Sequence, residues 1–153
     1  MRRRALLALP ALAFAVGAPA ATLPSSRSLP HELALSLQRG RPLLVMASLD
    51  GCPFCRRVRD HHLAPLLAES GQPVVQIDMA SAAELTGLDG QATTHDQQLR
   101  AWKVTVAPTV LFLGHGGREV AERLVGASIP DYYGAYLRDL DGNKICMVCH
   151  RKP

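Results

Sequence analysis

The sequence predicts an α/β fold with a central mixed sheet of about four strands, flanked by helices. Three observations predict it. Pro42-Leu43-Leu44-Val45-Met46-Ala47 is a continuous apolar run, the pattern of a strand buried on both faces. A helical pattern and a second strand-like run, Val74-Val75-Gln76-Ile77-Asp78, follow it and complete a strand–helix–strand unit. Thr109-Val110-Leu111-Phe112-Leu113 and Arg118 to Val125 then flank Gly114-His115-Gly116-Gly117, which predicts a hairpin.

The chain begins with features of an export signal. Arg2-Arg3-Arg4 is a basic start, Ala5 to Val16 is an apolar run, and Ala18-Pro19-Ala20 is an A-x-A cleavage site. Residues 1–20 are therefore expected to be a signal peptide. The other reading is an uncleaved membrane anchor. Arg3-Arg4-Ala5-Leu6-Leu7 also loosely resembles a twin-arginine signal, although a basic start often contains such a pair by chance. Residues 21–30, rich in Ser and Pro, read as a short N-terminal arm, and 31–142 as one folded domain. Cleavage would leave no stable membrane insertion, and the destination expected is the periplasm.

The remaining elements follow in order. His31 to Arg39 carries Leu33 and Leu37 on one helical face, and Gly40 suits its end. Pro53 occupies the first turn of the next helix, where a missing N–H costs nothing. That helix uses Phe54, Val58, Leu63, Leu66 and Leu67, and Pro65 is expected to kink or split it before Gly71 stops it. Met79 to Thr93 has no clear period and reads as a connector. Thr94-His95-Asp96-Gln97 matches a capping box, with Leu99 and Trp102 on the following short helix. Ser128 opens a last expected helix to about Leu140, buried through Tyr132, Tyr133, Tyr136 and Leu137.

Charge narrows the function. The formal net charge is +4, but three arginines would leave with the leader, so the mature chain carries only about +1. No basic patch interleaved with aromatics remains, and nucleic-acid binding has little support.

The four cysteines carry the chemistry. They form two C-x-x-C pairs, Cys52/Cys55 and Cys146/Cys149. Disulfides that stabilise by closing loops are usually far apart in sequence; pairs this short close almost nothing, so their value is chemical. Cys52-Pro53-Phe54-Cys55 stands where an apolar strand ends and a helix begins. Two thiols one helical turn apart can close into a disulfide and reopen. At a helix start, the macrodipole and unpaired N–H groups favour the thiolate, which is the nucleophile of thiol–disulfide exchange. An exported destination also permits disulfides to form and persist. The other readings are an inert disulfide or half of a metal site. A metal would need two further ligands; His61 and His62 fall beyond the site on the helix, and His31, His95 and His115 lie at caps or turns.

Together with Val106-Ala107-Pro108-Thr109 ahead of the hairpin, this motif and the element order resemble the thioredoxin superfamily, in particular its exported bacterial members. The resemblance covers about residues 31–140. It implies a thioredoxin-like fold and thiol–disulfide oxidoreductase activity. Cys52 would be the exposed nucleophile, and Cys55 the buried resolving thiol. Pro108 would be a cis-proline facing them, and Pro53, Phe54, Ala107 and Thr109 would meet substrate. It implies a redox-active disulfide Cys52–Cys55 with no bound organic cofactor. The partners would be protein thiols or disulfides and a membrane electron donor or acceptor. Two departures stand out. The dipeptide between the cysteines is Pro53-Phe54, not the Gly-Pro of typical thioredoxins, which leaves reductase and oxidase directions open. The buried acid of thioredoxins has no match in Leu44-Val45-Met46-Ala47. Asp50 is the nearest acid, and it reads as a solvated turn residue.

Residues 143–153 are expected to form a tail. Within it, Cys146-Met147-Val148-Cys149-His150 is C-x-x-C-H, the attachment signature of haem c. Only Arg151-Lys152-Pro153 follow, with no downstream Met ligand. Four readings stay open for Cys146, Cys149 and His150: a non-essential tail, a dithiol relay to Cys52/Cys55, a haem site, or part of a zinc site.

Overall fold

A computed structural model describes residues 22–126 and the backbone of the strands at 132–138 and 144–150. The leader expected over 1–20 lies outside the described residues. The first helix, α1 (Leu29–Gln38), buries Leu29, Leu33 and Ser36 and leaves Leu35 exposed. It ends on Gly40, which adopts the left-handed conformation (φ 66°) that a glycine reaches without a Cβ clash.

Strand β1 (Leu43–Ser48) is buried at every position. The helix after it divides as Pro65 requires. α2 (Pro53–Val58) runs into one π-helical turn, Arg59–Leu63, and then α3 (Ala64–Ser70). Pro65 has no N–H for the α-helical ladder, and the chain widens just before it. Strand β2 is Val74–Asp78. The connector expected over 79–93 holds a small hairpin, β3 (Glu84–Thr86) with β4 (Ala92–Thr94). Three-residue strands are too short to show a period. Helix α4 (His95–Ala101) follows as expected, but its capping box does not form: the Thr94 hydroxyl turns to the Asp96 carboxylate instead.

Strands β5 (Thr109–Leu113) and β6 (Leu124–Val125) complete a four-stranded sheet in the order β2-β1-β5-β6. β1 and β2 are parallel, while β1/β5 and β5/β6 are antiparallel. The sheet is mixed, as predicted. The last strand is shorter than the expected Arg118–Val125. Leu113 pairs with Glu119 and Val110 with Leu124, so two more residues lie on the returning strand and bulge from the ladder.

Side-chain alternation divides the core. Leu44, Met46, Val74, Val110 and Phe112 pack with Cys55, Val58 and Leu63 on the α2 face. Leu43, Val45, Ala47, Val75, Ile77, Leu111 and Leu113 pack with Leu29, Leu33 and Leu99 on the other.

The N-terminal arm is tied to this sheet. Ser26 N–H donates to Gln76 O at 2.9 Å and Gln76 N–H to Pro24 O at 2.8 Å, along the free edge of β2. Leu23 is buried beneath it. His95 locks the arrangement: its Nδ1 accepts the Asp78 N–H at 3.3 Å, so Nε2 carries the proton and donates to Ser26 O at 2.8 Å.

The closing helix expected from Ser128 to about Leu140 is not what residues 132–138 form. They make strand β7 (Tyr132–Arg138), antiparallel to β8 (Lys144–His150), in a separate two-stranded sheet with Tyr136 opposite Cys146 and Tyr133 opposite Cys149. The expected tail therefore contains a paired strand. Tyr132, Tyr133 and Tyr136 are β-prone, and Asp141-Gly142 is a hairpin sequence. Spacing suited to a helix was outweighed by residue type. Ser128 and Leu140 lie outside the described residues.

Candidate active site

Cys52 is the residue before α2, and its Sγ caps the helix by accepting the Cys55 N–H at 3.2 Å. Pro53 supplies the first helical residue without an N–H that would need a partner. Gly51 sits in the left-handed region (φ 73°), which lets the chain turn from β1 into this cap. The two thiols are not joined. They differ in environment: Cys52 is half-buried and Cys55 is 1% exposed, packed against Met46 and Val58.

That difference separates their ionisation. Partial burial opposes the Cys52 thiolate. Hydrogen bonds from the Cys55 thiol, the Cys55 N–H and the Phe54 N–H outweigh it and hold Cys52 below the ordinary thiol value. Burial pushes the Cys55 thiol up to about 11. Its hydrogen bond to Cys52 and the charge on Cys52 add to the rise, against the Leu49 backbone and Arg59. The site favours the thiolate at Cys52 and the thiol at Cys55.

Thr109 opposes Ala47, so the loop entering β5 lies beside the loop leaving β1. The Ala107–Pro108 bond is cis. Pro108 and Thr109 are buried, with Thr109 Oγ1 donating to Val106 O at 2.7 Å. Ala107 is half-buried against the cluster that Cys52 also joins, and neither its N–H nor its C=O bonds to any described residue. Phe54 is 58% exposed, so it faces solvent instead of joining the helix's buried side, as its spacing had suggested.

Beside the cysteines lies a polar cleft of about 290 Å³, lined by Ser48, Asp50, Cys52, Arg56, Arg59, Gln76 and Asp78, among others. Of these, the sequence had singled out only the cysteine and Asp50. Asp50 is exposed and accepts the Gly51 N–H at 2.9 Å, the turn role expected of it. Met46 fills the space under Cys55 and is fully buried, so no acid lies there. Ser48, Gln76 and Asp78 could have been found from alternation: they continue the α2-facing rows that begin with Met46 and Val74.

Among the described residues, no group of three His, Cys, Asp or Glu could hold a metal. His61 is exposed and His62 half-buried on the π-helical turn. The side chains of Cys146, Cys149 and His150 lie outside the described residues.

Residues 29–141 match the thioredoxin-like domain family. The chain belongs to that family. Its thioredoxin-like fold supports activity of the thiol–disulfide oxidoreductase kind. No curated protein matches this thioredoxin-like chain in sequence. Among solved structures, a thioredoxin from Nicotiana alata is 22% identical with a TM-score of 0.46, covering 70% of this chain and 86% of its own. Fasciola hepatica thioredoxin is 23% identical with a TM-score of 0.43, covering 67% and 88%. A poplar thioredoxin h is 18% identical with a TM-score of 0.47, covering 69% and 87%.

Proposed function

We propose that this chain is an exported thiol–disulfide oxidoreductase that reduces protein disulfides. The Cys52 thiolate attacks one sulfur of a substrate disulfide. The S–S bond breaks, one substrate thiolate leaves, and a mixed disulfide joins Cys52 to the other half. Cys55 then attacks Cys52 and releases the second thiolate. The two electrons come from the Cys52/Cys55 pair, which ends as a disulfide, so no bound organic cofactor is needed.

The observation that carries this reading is the split between the two thiols: Cys52 capping α2 and held below its ordinary value, Cys55 buried and raised. Leu49 and Val106, on loops near Cys52, and Phe54, in the first turn of α2, are exposed apolar side chains and suit an apolar stretch of a protein substrate. Ala107, whose N–H and C=O bond to no described residue, offers both to that substrate's backbone. The leader sequence supports a periplasmic location, and regeneration there calls for a membrane electron donor.

Replacing Cys52 with Ser abolishes reduction of insulin disulfides. Undiminished activity in that variant would sink the proposal. Direction is read separately: a reductant has a Cys52/Cys55 potential near thioredoxin's, about −270 mV, and an oxidant one near about −120 mV. The C-x-x-C-H sequence carries a second reading, a carrier that holds haem through Cys146, Cys149 and His150. A Soret band on protein exported by a haem-attaching host distinguishes it.

A further inference from the structure

The resolving step needs a place for one proton. Cys55 is a buried thiol and must lose its proton as it attacks Cys52. Met46, packed beneath it, cannot take one. Polar groups line the cleft beside Cys52. The Leu49 backbone, which hydrogen-bonds the Cys55 sulfur, lines it as well.

Two features make this cleft a route and not a surface dent. Ser48 is 1% exposed, and its Oγ is the one buried side-chain polar atom among the described residues without a hydrogen-bond partner. Buried hydroxyls are normally satisfied, and solvent in the cleft is the available partner. The volume of about 290 Å³ holds several waters, at roughly 30 Å³ each. The second feature is register. Ser48 pairs with Asp78 across the parallel β1/β2 ladder, so both side chains stand on the face that α2 and Cys55 cover. Asp78 is half-buried, and its Oδ1 accepts the Ala80 N–H at 2.8 Å.

We propose that Asp78 accepts the proton of the Cys55 thiol through solvent held against the Ser48 hydroxyl. The inference rests on the disulfide-exchange reading above. As Cys55 forms its bond to Cys52, the bond from Cys52 to the substrate sulfur breaks. The Cys55 proton enters the cleft, rests on the carboxylate, and ends on the departing substrate thiolate or in bulk water. Asp78 is faced by Arg56 and Arg59 from the helix, by Asp50 and Cys52 from the loop, and by His95 from α4, whose ring accepts the Asp78 N–H. Arg59 also donates to Gln76 Oε1 at 3.2 Å, which holds a cation at the cleft.

The test uses an aromatic disulfide, 5,5′-dithiobis(2-nitrobenzoic acid), whose release is coloured. With Cys146 and Cys149 replaced by Ser in every protein compared, the reduced protein releases one equivalent as Cys52 attacks and a second as Cys55 resolves. Asp78→Asn keeps the oxygen that takes the Ala80 N–H. It slows the second phase at neutral pH by on the order of tenfold or more and leaves the first unchanged. Ser48→Ala slows the same phase, and Asp78→Glu restores it in part. Asp89→Asn, in the turn of the β3/β4 hairpin and outside the cleft, leaves both phases alone. The Asp78→Asn deficit shrinks as pH rises toward 11, where Cys55 ionises unaided. A second phase unchanged in Asp78→Asn or Ser48→Ala, or slowed equally with the first, overturns the proposal. Absence of any first phase in the unaltered protein would instead sink the disulfide-exchange reading itself.

Discussion

The Cys55 N–H donates to the Cys52 Sγ at 3.2 Å, so the residue that is buried also stabilises the charge on the residue that is reachable. Geometry and ionisation are therefore linked. Burial fixes Cys55 against Met46, which fixes its N–H, which holds the Cys52 sulfur at the start of α2.

The linkage predicts selective alkylation. The folded Cys52 thiol ionises below the ordinary thiol range, so iodoacetamide modifies it at pH values where a free cysteine is still slow. Cys55, raised to about 11 and 1% exposed, resists until the pH approaches that value. Peptide mass mapping across a pH series checks both. In stability terms the Cys55 shift favours the folded dithiol below the ordinary thiol range, and that contribution disappears as pH rises through about 11.

Met46 sets a second expectation. It is fully buried between β1 and the α2 face. Met46→Ala removes packing under Cys55 and costs about 3 kcal/mol of stability, read as a lower denaturant midpoint with an unchanged slope.

His95 is the pin of the N-terminal arm. His95→Phe keeps the bulk but leaves the Asp78 N–H and the Ser26 carbonyl without their ring partner. The variant loses about 2 kcal/mol. Amide exchange of Ser26 and Gln76 rises more than that of the β1 amides, since the arm frees itself first.

Phe54 separates substrate binding from chemistry. At 58% exposed it contributes little to the core. Phe54→Ala lowers kcat/KM for a protein disulfide several-fold and leaves the rate with a small aromatic disulfide unchanged. Parallel assays on the two substrates read the difference.

The sequence made the nucleophilic pair and the mixed sheet legible because each rests on local patterns. The β1 run is continuously apolar, and Cys52-Pro53 is a helix start whatever surrounds it. The polar cleft was not legible. Ser48, Gln76 and Asp78 acquire meaning only when the β1/β2 register puts them in neighbouring rows under α2. The β3/β4 hairpin escaped notice because three residues cannot display a period. Residues 132–138 were misread because Tyr132 and Tyr136 fit helical spacing, while the aromatic run and Asp141-Gly142 favour a hairpin. Composition marks 21–30 only as a short Ser- and Pro-rich arm, yet its backbone bonds to β2 and Leu23 is buried.

The central claim is that Cys52 attacks and Cys55 resolves. Cys55→Ser removes the resolving thiol while a hydroxyl keeps the site's shape. Incubated with intact, disulfide-bonded insulin and analysed by mass spectrometry without reductant, this variant accumulates a covalent adduct mapped to Cys52 that dithiothreitol releases. An adduct on another cysteine, or no adduct at all while the variant still turns over disulfides, would contradict the account.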